Sequence, residues 1–96
     1  MSDVIDAAVT ALGAKLGAGG FDGVAKFVIK DEGAIMLDQS GARAGDEEAD
    51  VTLTADVETF RAILEGNMNP TMAFMTGKLS VDGNLGLAMK LGSVLG

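Results

Sequence analysis

A chain of 96 residues with 48% hydrophobic and 22% charged side chains suits one folded domain spanning residues 1–96, not a disordered segment. It has no Cys and no His, which removes disulfides, thiol chemistry, the Ser-His-Asp triad and the commonest metal ligand. Fourteen acidic against seven basic residues give a net charge of −7, which argues against nucleic acid as a partner and limits membrane contact to transient encounters.

The opening MSDVIDAA puts Asp3 and Asp6 where a signal peptide needs positive charge. Ser2 can cap a first helix whose apolar residues Ile5, Ala8, Val9, Leu12 and Leu16 recur at helical spacing. Gly17, Gly19 and Gly20 end it. In GVAKFVIK, Phe27 and Ile29 point one way and Lys26 and Lys30 the other, which is strand alternation. Asp31, Glu32 and Gly33 form a turn into a second strand, AIMLDQ, so a β-hairpin is expected. The polar stretch Ser40 to Asp50 is expected to hold a short strand or loop around Ala42 to Ala44. Its acidic run, Asp46, Glu47 and Glu48, reads as a solvated turn and lacks the alternating spacing of a calcium loop.

DVTLT, Asp50 to Thr54, is a further alternating strand. Asp56 then caps a helix with the stripe Val57, Phe60, Ile63 and Leu64, and Gly66 stops it. Asn69-Pro70 is a cap followed by proline at the first helical position, opening a short helix that ends before Gly77. KLSVD, with Leu79 and Val81, is a last strand, and Asn84 caps a final helix. Helices around runs of strands give an α+β class, with helices on one face of a mainly antiparallel sheet.

The final helix is apolar around most of its girth. Leu85, Ala88, Met89 and Leu95 lie toward one side, and Leu87, Leu91 and Val94 toward another. Such a helix must be covered on more than one face. One face packs on the sheet. The other meets a ligand cavity, a second subunit or a membrane surface. The six Met in place of Trp and Tyr suit irregular gaps or a site for varied ligands.

Catalytic chemistry is not visible, so the expectation is a protein that is not an enzyme and uses no cofactor. VTALGAKLGAGG sits at a helix end, not between strand and helix, so it is no nucleotide fingerprint. No Asp-Ser-Leu site for a phosphopantetheine arm is present. Lys78 and Lys90 lie in the apolar third and could meet an anionic group, although the commoner use of such lysines is to snorkel into water. No apolar run reaches the roughly 18 residues of a membrane span. The final SVLG is not a peroxisomal SKL address, so a soluble cytoplasmic protein is expected.

DVTLT before a helix, Phe60 within that helix, and EGNMNPTMAFMTGKLSVDGNLGLAMKL together resemble the sterol carrier protein type 2 family over about the second half of the chain. The first half agrees in layout only. The resemblance implies a five-stranded sheet, helices over one face, and an apolar tunnel between them. It implies a carrier that holds fatty acid, fatty acyl-CoA or sterol-like lipid without strong selectivity. By the same resemblance Phe74, Met75, Leu85, Met89 and Leu91 line the tunnel, with Leu64, Met68 and Met72 beside them. Phe27, Ile29, Ile35, Leu37, Val51, Leu53, Leu79 and Val81 form its floor or the core. An acyl chain of about sixteen carbons offers on the order of 12 kcal/mol gross on burial, so micromolar binding needs no elaborate polar site. The state expected is a monomer or weak homodimer. The competing expectation is a protein-interaction module whose apolar C-terminal helix forms a dimer or partner-enzyme interface.

Overall fold

In β1 and β4 the buried side chains fall on one parity, Ala25, Phe27 and Ile29 in one and Val51, Leu53 and Ala55 in the other, and that parity decides the architecture. In the computed structural model, which describes residues 3–95, the strands are β1 (Ala25–Ile29), β2 (Gly33–Asp38), β3 (Gly41–Ala44), β4 (Val51–Ala55) and β5 (Ser80–Gly83). The helices are α1 (Asp3–Leu16), α2 (Val57–Leu64), α3 (Pro70–Met75) and α4 (Leu85–Leu95). The α+β class and the five-stranded sheet are as expected. Ser2, the expected cap of α1, lies outside the described residues.

The sheet order is β3-β2-β1-β4-β5. Three of its pairings are antiparallel and β1 with β4 is parallel, so the sheet is mixed but mainly antiparallel. Register places Phe27 between Ile35 and Leu53, and Ala25 between Leu37 and Val51. These side chains are all buried on one face, and every helix packs there. Ile5, Ala8 and Leu12 of α1 lie on the β2–β3 half. Phe60 of α2 meets the Phe27 ring edge-on at 4.5 Å between centroids.

The chain crosses from β3 to β4 over the opposite face. There the Glu47 amide donates to the Met36 sulfur at 3.4 Å and covers it, while Lys26 pairs with Asp46 at 2.8 Å. Arg43 bridges Asp38 at 2.6 Å and Glu47 at 3.3 Å. The acidic run is therefore exposed, as expected, but anchored. Among the described residues no three carboxylates converge as metal ligands.

Asp56 starts α2 by accepting the Thr59 amide at 2.8 Å. That bond first, then the Thr59 hydroxyl and the charges of Lys30 and Lys78, holds its carboxyl below the ordinary value of 3.8. A carboxyl depressed in the folded state stabilises fully above its unfolded value. The contribution is lost as pH falls through the lower folded value. Asp56→Asn keeps an acceptor but cannot titrate. Its urea midpoint is expected to fall less between about pH 5 and about pH 2 than that of the parent. An identical fall in both proteins would remove Asp56 from the acid limb.

Candidate functional site

The connection from α2 to β5 builds one wall of a groove. The Asn69 carboxamide accepts the Thr71 amide at 2.8 Å and the Met72 amide at 3.4 Å, capping α3, and Pro70 supplies the pre-set first turn. Pro70 and Ala73, three residues apart, are buried. The Ala73 carbonyl then accepts from Lys78 and Leu79, at 2.9 and 3.0 Å, and turns the chain straight into β5. With Pro70 and Ala73 inward, Phe74 and Met75 stay at the surface.

Helix α4 builds the other wall. Its start is fixed where β5 ends. The Asn84 amide donates to the Asp50 carbonyl at 2.9 Å, and its side chain accepts the Leu87 amide at 3.1 Å. Gly83, at φ 107°, is required there, because a Cβ would strike the Asp50 carbonyl. Leu91 and Leu95 bury one side of α4 and Leu87 half-covers the flank against Gly23. Leu85, Met89 and Ser93 face the other way, and Ala88 packs on the core while also bordering the groove with Gly92. At Gly92 the helix comes close to Pro70 of α3, where an added Cβ would lie 3.8 Å from the ring.

Between α3, α4 and the β4–β5 edge lies a groove of about 750 Å³, with Leu53, Leu79 and Val81 as its floor. Its wall is mostly apolar, with Asn69, Thr71 and Ser93 as neutral polar members. Among the described residues Lys90 is the only charged one lining it, and its ammonium pairs with Asp22 at 3.2 Å in an exposed contact. Such a pair exchanges readily with other anions. Asp38, Arg43 and Asp56, whose titration is displaced, all lie outside the groove lining.

Four of the eight residues expected to line a tunnel come together here: Phe74, Met75, Leu85 and Met89. Leu91 does not. It sits about 200° round the helix from Met89 and is fully buried in the core. Leu64 and Met68 pack half-buried against that core, and Met72 stands on the rim outside the lining. Among the strand residues, Leu53, Leu79 and Val81 border the space, and the others belong to the core. The space is also a groove, not an enclosed tunnel. Met75 is 73% exposed and Met89 75%, because none of the described residues lies over the two helices on that side. Asn69, Pro70, Thr71, Ala88, Gly92 and Ser93 were missed as lining residues. The last two follow from helical spacing, three and four residues beyond Met89.

The model of the SCP-2 sterol transfer family matches residues 11–96. The chain belongs to this family. Within the SCP-2 family it is 39% identical over 82 residues to hydroxysteroid dehydrogenase-like protein 2 of Xenopus tropicalis, covering 77% of this chain and 20% of that one. It is 39% identical over 79 residues to human sterol carrier protein 2, covering 72% of this chain and 14% of that one. The chain thus spans a fifth or less of these curated relatives. The solution structure of palmitated SCP2L2 from Aedes aegypti superposes with a TM-score of 0.69 at 26% identity, over 99% of this chain and 95% of that one. No helix among the described residues is long and apolar enough to cross a membrane.

Proposed function

We propose that this SCP-2 domain carries one long-chain lipid, a fatty acid or its acyl thioester, in the groove between α3, α4 and the β4–β5 edge. The observation that carries the reading is the groove itself: an apolar, solvent-open space of about 750 Å³ in a chain of this family. Its volume falls within the roughly 300–1,000 Å³ of ordinary small-molecule sites. The palmitated relative supports an acyl chain as cargo.

Phe74, Met75, Leu85 and Met89 supply flexible apolar contact along the chain, over the floor of Leu53, Leu79 and Val81. Burial of methylenes drives binding at about 0.8 kcal/mol each, so selectivity among chain lengths is low. Lys90 is the candidate for the headgroup, with an acidic head replacing Asp22 as its partner. In this reading the carrier is a monomer or weak homodimer and meets membranes at most transiently.

Native mass spectrometry of the purified protein, followed by extraction of anything bound, checks this. A monomer carrying one lipid of defined mass is the expected result. An empty dimer would overturn the carrier reading and favour α4 as a subunit interface.

A further inference from the structure

The chain has no Cys, Trp, Tyr or His, so methionine is its one readily oxidised kind of side chain. Five of the six methionines are described. Met36 is buried under the β3–β4 crossover at 1% exposure, and Met68 is half-buried against the core. The three exposed ones, Met72 at 57%, Met75 at 73% and Met89 at 75%, all stand on α3 and α4. Two of these, Met75 and Met89, line the groove, and Met72 does not. Among the described methionines, peroxide therefore reaches α3 and α4, including the two groove sulfurs, before it reaches the core.

We propose that Met75 and Met89 form an oxidation site that lowers the groove's hold on its lipid. The inference rests on the carrier reading above. A hydroperoxide delivers one oxygen atom to the thioether sulfur. The O–O bond breaks, an S–O bond forms, the sulfur is oxidised by two electrons, and the hydroperoxide leaves as water or as an alcohol. Two flexible apolar contacts become two polar sulfoxides. An acyl chain pressed against them strips their hydration without offering a hydrogen bond. The fold survives, because neither side chain contributes to the buried core. Methionine sulfoxide reductases restore the thioether, so the change is reversible. A bound acyl chain covers both sulfurs and leaves Met72 open, so loaded carrier resists where empty carrier does not.

The test titrates hydrogen peroxide onto the whole protein. It follows sulfoxide at each methionine by peptide mass mapping, the palmitate Kd, and far-UV circular dichroism. Met72, Met75 and Met89 are expected to oxidise ahead of Met36. Palmitate Kd should rise at least about tenfold with the dichroism unchanged. Saturating palmitate should slow oxidation at Met75 and Met89 but not at Met72. In Met75→Leu/Met89→Leu, the ratio of Kd after and before peroxide should stay within about twofold, whatever its starting affinity. The Met72→Leu variant should lose affinity as the parent does. An unchanged Kd with both groove sulfurs oxidised overturns the proposal. So does an equal loss in the double variant, or loss of dichroism in step with affinity. A protein that binds no palmitate before treatment overturns the carrier reading, and this inference with it.

Discussion

Met89→Glu is expected to weaken palmitate binding by about a hundredfold while moving the stability by no more than about 0.5 kcal/mol. The side chain is 75% exposed and takes no part in the core. Replacing it therefore leaves no cavity, and glutamate is a good helix former. In the groove the substitution places a carboxylate against the acyl chain. That charge must either lose water or push the chain away, and a carboxylic cargo adds like-charge repulsion. Titration calorimetry with palmitate, alongside urea unfolding, checks both halves. Unchanged affinity would move the lipid away from α4.

Leu91→Ala, two residues further along the same helix, is expected to do the reverse. Leu91 has no exposed surface and sits among the buried side chains under α4. Its truncation should cost about 2–5 kcal/mol, from lost burial and the cavity left behind. A domain of this kind holds only about 5–15 kcal/mol in all, so the urea midpoint should fall steeply. Palmitate affinity of the fraction still folded should change far less than in Met89→Glu. A loss under about 1 kcal/mol would show that the core beneath α4 closes up around the gap.

The contrast between these two positions shows where sequence reading succeeds and where it stops. The strands and the caps at Asp56, Asn69 and Asn84 were legible because alternation, capping residues and Pro70 each carry a local signal. Helix α4 was legible as a helix needing cover on two sides. Its phase was not, since a helix with Leu85, Leu87, Met89, Leu91 and Val94 offers no polar stripe to mark the solvent side. Spacing grouped Leu95 with Met89, but Leu95 is buried beside Leu91; only the family resemblance placed Leu91 with Met89, and the structure separates them. Met72 and Met75 pose the same problem on a helix of 6 residues, too short for a periodic pattern to decide.

Two features of the sheet were hidden for other reasons. The parallel pairing of β1 with β4 leaves no trace in a two-residue period, which reports faces and not partners. The run Ala34 to Leu37 is apolar on both parities, so Met36 gave no hint that the acidic crossover folds onto it. The groove opens to solvent because α3 and α4 meet at Pro70 and Gly92 with none of the described residues laid across them. That is a property of helix placement, and residue types do not record it.

The claim that the lipid lies in this groove is tested most directly by nuclear Overhauser contacts between bound palmitate and isotope-labelled methionine methyl groups. Met75 and Met89 should show contacts to the acyl chain, and Met36, behind the sheet, should show none. Bound palmitate with no contact to either groove methionine would contradict the account.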